Sequence, residues 1–235
     1  MAKLSPYLIE PILPKYEVHL LAGVTGVGKT TWLFHTLIQE WSHGEYVLGF
    51  PSYPVPWVYV AADRSLASAY RTMDAMGIDH STIDIIPAHG ADHKSFNQVM
   101  EAVAEKNAEL VVVEAFGSFV DDPARSKQVS AFIHSSCAWT PPSKDFPNGL
   151  TILGVVESPK MKPAERYKLP RQRISGVATW GHMADCIMLI EHTNPGVQGD
   201  PNRVLYVCPR IGKDMEFHGS FNDQNHLVFD GGSEP

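Results

Sequence analysis

Residues 18–41 read VHLLAGVTGVGKTTWLFHTLIQEW. The apolar run Val18–Ala22 predicts a strand, and the periodic segment Lys29–Trp41 predicts a helix. Between them Gly23, Val24, Thr25, Gly26, Val27, Gly28, Lys29 and Thr30 fill every fixed position of the pattern GxxxxGK[ST], in the strand–loop–helix setting that the pattern requires. The glycines let the backbone wrap so that its N–H groups point inward at phosphate oxygens. The helix start adds a positive dipole, Lys29 can reach the β and γ phosphates, and the Thr30 hydroxyl suits Mg²⁺. ATP and Mg²⁺ are therefore the expected ligands, with Gly23 to Thr30 and the following Thr31 as the nucleotide-binding stretch.

Outward from this loop the chain alternates strand-like and helix-like segments. Strands are expected at Val18–Ala22, Trp57–Ala61, Ile83–Ile86, Leu110–Val113, Thr151–Val156, Cys186–Ile190 and Val204–Val207. Several are unbroken apolar runs, as in strands covered on both faces. Helices are expected at Lys29–Trp41, Leu66–Met76, Phe96–Glu105 and Ser126–Ala138. The fold class is α/β, a mostly parallel twisted sheet with helices on both faces. Beyond Asn194 the linker NPGVQGDPN and a hairpin-like tail from Met215 to Asp230 predict antiparallel strands added near the C-terminus. Residues 1–15, with three prolines, are expected to be an extended arm, and residues 16–235 a single domain.

Two acids stand where strands end, Asp63 after WVYVAA and Glu114 after LVVV. In open parallel sheets ligands gather at the carboxyl ends of strands, so both acids could face the nucleotide. Glu114 would hold Mg²⁺ directly or through water, and Asp63 would polarise the attacking water. Either acid could instead cap the next helix or turn.

Taken in order, these residues resemble the RecA-fold ATPases, most closely the branch of DnaB-type replicative helicases and plasmid RepA-type proteins. The resemblance runs through PYLIEPILPKYEVHLLAGVTGVGKTT, VYVAADRSLASAYRTMDAMGI, ISGVATWGHMADCIMLIE and VLYVCPRIG, and covers about residues 7 to 230. It implies a RecA-like core that hydrolyses ATP. The family's metal-holding aspartate becomes Glu114 here, its catalytic glutamate becomes Asp63, and its Lys-x-Arg pair becomes Cys208-Pro209-Arg210. By resemblance Arg210 is a finger reaching the γ-phosphate of a neighbouring subunit, and Lys213 could replace the missing lysine. Glu157-Ser158 stands where the family often has a glutamine. Tyr70 and Arg71 fall where related ATPases place an adenine-contacting side chain, although Tyr70 could equally cover its helix.

The 235 residues carry 44% hydrophobic and 10% aromatic side chains, which excludes a disordered chain. No apolar run is long enough to span a bilayer, the first residues lack a secretory pattern, and three scattered cysteines fit a reducing compartment. A cytoplasmic protein with no membrane partner is expected, and the resemblance implies a bacterial source, with a plasmid or phage gene among the options. The net charge of −7 hides an asymmetry. Of 19 basic and 26 acidic residues, six and one lie in Ser158–Arg173, SPKMKPAERYKLPRQR, leaving 13 and 25 elsewhere: +5 on one segment and −12 on the body. In RecA-fold rings and filaments, loops at this level contact single-stranded DNA. Lys160, Lys162, Arg166, Lys168, Arg171 and Arg173 would neutralise phosphates there and Tyr167 would stack on a base. A solvated loop is the bland alternative. The expected function is an oligomeric ATP-driven helicase of replication, a ring or filament on single-stranded DNA, too short for the extra domains of larger relatives. A recombinase or recombination mediator, a slow nucleotide-gated assembly protein and, more weakly, a small-molecule kinase are the alternatives.

Overall fold

A computed structural model of the chain describes residues 5–44, 46–88, 96–158, 169–174, 178–194, 197 and 199–230. The polypeptide opens with a small antiparallel pair, β1 (Tyr7–Ile9) and β2 (Leu13–Pro14), and enters the sheet at β3 (Val18–Gly23). All six residues of β3 are buried, as expected for a strand with helices on both sides. After the loop, α1 (Lys29–Trp32) runs through a π-helical stretch (Leu33–Ile38) into α2 (Gln39–Ser42). This places Trp32, Leu33, Phe34, Leu37, Ile38 and Trp41 in the core.

The chain continues through β4 (Trp57–Ala61), α3 (Leu66–Ala75), β5 (Asp84–Pro87), α4 (Phe96–Ala104), β6 (Leu110–Val113), α5 (Ser126–Cys137) and β7 (Thr151–Glu157). A short helix α6 (Ala178–Met183) precedes β8 (Cys186–His192), β9 (Asn202–Pro209), β10 (Met215–Phe221) and β11 (Leu227–Phe229). The nine-stranded sheet has the order β11-β10-β9-β8-β3-β7-β6-β4-β5. From β5 to β8 the pairs are parallel, and from β8 to β11 they are antiparallel. All seven expected strands and four expected helices are present, with ends shifted by one or two residues. The expected C-terminal antiparallel strands are present too.

Period-2 alternation sorts the sheet's side chains into two apolar layers. Leu21, Tyr59, Val112 and Leu153 join the helix formed by residues 29–42 on one face. Leu20, Ala22, Val60, Val111 and Val113 meet Phe96, Phe116, Ile133 and Trp180 on the other. The segment expected as an extended arm folds back as the β1–β2 hairpin. Its Leu8, Ile9, Ile12 and Leu13 are buried in the first layer, and Ile9 bridges to Ser52. Among the described residues no helix is long and apolar enough to cross a membrane.

Candidate nucleotide site

The parallel strands β3, β7 and β8 end level with one another: Gly23 is paired with Glu157 on one side and Ile190 on the other. The loop therefore leaves the sheet at its carboxyl edge, where helix dipole and open backbone converge. A side chain at Gly23 would meet the Ile190 carbonyl oxygen and Val27 Cγ1, both at 2.7 Å. Gly28 has φ +108°, and a Cβ there would lie 2.7 Å from Phe221 Cζ and 3.0 Å from Leu227 Cδ2. Only glycine allows both this backbone and the close seat of the β10–β11 hairpin. A T-shaped contact between Trp32 and Phe229, centroids 6.0 Å apart, fixes that hairpin to the helix.

Lys29 Nζ donates to the carbonyls of Gly23 (2.7 Å) and Val24 (3.1 Å). Burial lowers its affinity for a proton, opposed by the carboxylates of Glu157, Glu114 and Asp63 in that order. Glu157, last residue of β7, accepts from the Thr25 hydroxyl at 2.7 Å.

Asp63 and Glu114 come together through Arg64. Arg64 Nε and Nη2 donate to Asp63 Oδ1 (2.8 Å) and Oδ2 (3.0 Å), Nη2 also to Glu114 Oε1 (2.7 Å), and Nη1 to Thr72 Oγ1 (3.2 Å). The Tyr59 hydroxyl donates to Glu114 Oε2. Burial and a hydrogen bond shared with Asp63 push the Glu114 carboxyl up to about 7. Burial also disfavours charge on Asp63, but its bonds with Arg64 and Glu114 hold that carboxyl below its ordinary value. Neither acid caps a helix: Ser65 caps α3, accepting from the Ser68 amide, and the 3₁₀ turn after Glu114 has no side-chain cap. The hydroxyl of Thr30 and the carboxylate of Glu114 are hard oxygen donors. Such a set fits Mg²⁺, which takes one or two carboxylates together with substrate phosphates.

A cavity of about 580 Å³ adjoins the loop. Gly26, Gly28, Lys29, Thr30 and Thr31 form one wall, and His192, Pro201, Arg203, Phe221 and Asn225 face them. Arg203, with 6% of its surface exposed, was not singled out in the sequence. It donates from Nε to the Val27 carbonyl (2.8 Å) and from Nη1 to the carbonyls of Asp200 (2.6 Å) and Asn202 (2.8 Å). Its guanidinium lies 5.0 Å from the centroid of Phe221. Arg64 and Tyr59 were missed as well. The available signal was an arginine beside a strand-end acid and a polar tip inside an apolar run.

The other expected site residues lie elsewhere. Tyr70 stacks on His80 with centroids 4.4 Å apart, Arg71 is exposed, and neither lines the cavity. Arg210 follows β9 at the far end of the sheet, with Nη1 3.0 Å from Asp185 Oδ1. Lys160, Lys162, Arg166, Tyr167 and Lys168 lie outside the described residues. Arg171 donates to the carbonyls of Gly181 (2.7 Å), Ala184 (3.2 Å) and Cys208 (2.5 Å), tying α6 to β9. Arg173 pairs with Glu191 and lies 4.7 Å from the centroid of Tyr206. Both guanidinia are thus committed to the fold.

Among solved structures, a KaiC-like protein from the hyperthermophilic archaeon Pyrococcus horikoshii OT3 is similar in fold. The TM-score is 0.61 at 16% identity, over 94% of this chain and 93% of that one. A search of curated proteins finds no match. A profile of the AAA domain family matches residues 5–135, from the β1–β2 hairpin through both acids into α5. Because that match spans more than half of the chain, the protein belongs to the AAA domain family, with an α/β core of RecA-like fold.

Proposed function

We propose that the chain is a Mg²⁺-dependent ATPase that works as a homo-oligomer, a ring or filament, on single-stranded DNA in the manner of a compact replicative helicase. The observation that most supports hydrolysis is the convergence on one phosphate loop of Lys29 and three strand-end acids, Asp63, Glu114 and Glu157. Thr30 and Glu114 would hold Mg²⁺, which when bound neutralises charge on the β and γ phosphates. Lys29 gives up its two carbonyl partners to meet the phosphates, and the Phe221 side of the cavity receives the base. The DNA part of the proposal rests on the +5 segment Ser158–Arg173, chiefly residues 160–168, since Arg171 and Arg173 are engaged within the fold.

A second reading has a specific observation behind it. Arg64 already occupies the two acids that would otherwise serve metal and water. That suits a slow ATPase whose nucleotide state times binding or assembly. ATP turnover measured with and without single-stranded DNA separates the readings. The proteins compared are the wild type, Lys29→Ala, Arg210→Ala and a mixture of the two variants. DNA stimulation with partial recovery in the mixture is expected for the motor. Turnover indifferent to DNA, with Arg210→Ala at full rate, would leave the slow, nucleotide-timed reading.

A further inference from the structure

We infer that Glu157, rather than Asp63, is the carboxylate that positions the attacking water, while Asp63 and Arg64 together hold Glu114 in place. The inference rests on the ATPase reading above and names a catalytic residue within that same site. Three observations carry it.

The first is position in the sheet. Glu157 ends β7, the immediate neighbour of the strand that carries the loop, and is in register with Gly23. Asp63 follows β4, which is separated from β3 by β6 and β7. Both acids act on the charge of Lys29, Glu157 the more strongly, and Glu157 stands one strand from the loop where Asp63 stands three.

The second is occupancy. Both Asp63 oxygens accept from Arg64, and every nitrogen of that guanidinium has a partner among Asp63, Glu114 and Thr72. An aspartate so held, one methylene shorter than glutamate, has little freedom to meet a water at the phosphate. Its evident work is to aim Arg64 at Glu114.

The third is contact. Glu157 reaches the loop itself through the Thr25 hydroxyl at 2.7 Å, and it is exposed, hence open to water. It is also the foremost of the acids acting on Lys29. A γ-phosphate drawn to Lys29 would arrive beside this carboxylate. In the step, the water oxygen forms a bond to the γ-phosphorus as the bond from phosphorus to the β,γ-bridging oxygen breaks. ADP leaves with that electron pair, and the water's proton passes to Glu157 and then to the released phosphate. Thr25, freed of Glu157, can turn its hydroxyl to the phosphate.

The test compares Glu157→Gln with Asp63→Asn, both close in shape to the native residue, reading single-turnover hydrolysis of ATP and binding of a fluorescent ATP analogue. Glu157→Gln is expected to bind nucleotide within about threefold of wild type and to lose about 100-fold or more in hydrolysis, the scale of a lost general base. Asp63→Asn is expected to lose about tenfold, with a lowered melting temperature because Arg64 is released. Glu157→Gln retaining more than a tenth of the wild-type rate would overturn the assignment. So would a loss of nucleotide binding that parallels the loss of rate, which would mark Glu157 as only a brace for the loop. A wild type that binds nucleotide, with Lys29→Ala abolishing binding, yet shows no turnover would refute the ATPase reading itself.

Discussion

Arg203→Ala should both destabilise the protein and weaken its hold on nucleotide, because a single buried guanidinium ties the phosphate loop to the strand beneath it. Arg203 spans three carbonyls at 2.6–2.8 Å, those of Val27 in the loop and of Asp200 and Asn202 at the start of β9. A hydrogen bond from a charged donor contributes about 1.5–3 kcal/mol. The three share one cation whose burial lowers its proton affinity, so they do not add in full. A net loss of about 3 kcal/mol follows, together with the stacking of Arg203 on Phe221. For a chain of 235 residues this corresponds to a fall in melting temperature of about 6–12 °C. Thermal melts followed by circular dichroism, with and without ATP, measure the first effect. Titration with a fluorescent ATP analogue measures the second, expected as at least about a tenfold rise in Kd because the loop loses its brace. Arg203→Lys keeps the charge but not the fork, and should recover less than half of the loss. A melting temperature for Arg203→Ala within about 2 °C of wild type, with unchanged nucleotide affinity, would refute the reasoning.

Two further predictions follow from the same geometry. Glu114 has a folded-state pKa raised to about 7, so it binds its proton more tightly folded than unfolded. Its contribution to stability is therefore present below about pH 4.5 and is lost as pH rises toward 7. Glu114→Gln should abolish that loss, gaining about 1–3 kcal/mol relative to wild type between pH 5 and pH 8. Denaturant melts at the two pH values check it, and a parallel shift of both proteins would refute it. Arg171→Ala, which strips donors from the carbonyls of Gly181, Ala184 and Cys208, should destabilise the fold by about 2–4 kcal/mol while nucleotide affinity stays unchanged. If the melting temperature held and DNA affinity fell instead, Arg171 would be a DNA contact after all.

The sheet was legible because its parallel strands are written as unbroken apolar runs. LVVV at 110–113 and ILGVV at 152–156 leave no polar face, so they can only lie between two layers. The loop was legible because backbone geometry restricts Gly23 and Gly28 to glycine, so the chemistry shows in the letters themselves. Asp63 and Glu114 were legible as strand ends, but their joint engagement by Arg64 was not. It depends on β4 and β6 being neighbours although their residues are about fifty positions apart in the chain. Arg203 escaped for a related reason: an arginine in an apolar strand reads as an edge residue until β8 and β9 fold back beneath the loop. Tyr70 misled because its partner, His80, comes from the turn after its own helix, and stacking there satisfies the ring without a base. The prolines of residues 6–14 mark broken periodicity, yet four large apolar residues between them require burial, and the hairpin supplies it.

Strand direction also limits what Arg210 can do. Arg203 lies at the phosphate end of β9 and Arg210 seven residues later, at about 3.3 Å per residue, so roughly 23 Å of strand separates them. Across the pair, Pro209 stands opposite Cys186, the first residue of β8, whereas Arg203 stands opposite His192, its last. The Arg210 guanidinium is turned onto Asp185, and its backbone amide donates to the Asp185 carbonyl at 2.5 Å. It cannot meet a nucleotide bound by its own chain. Any contribution to hydrolysis must therefore be made in a second copy, with the Asp185 end of one subunit facing the phosphate loop of the next. This is why the mixture of Lys29→Ala and Arg210→Ala is informative. Some junctions in the mixed assembly would pair an intact loop with an intact arginine, and turnover would return there. If Arg210 serves only to balance Asp185 beside Glu17, whose carboxyl burial and Asp185 push up to about 7, its loss would lower the melting temperature and mixing would restore nothing.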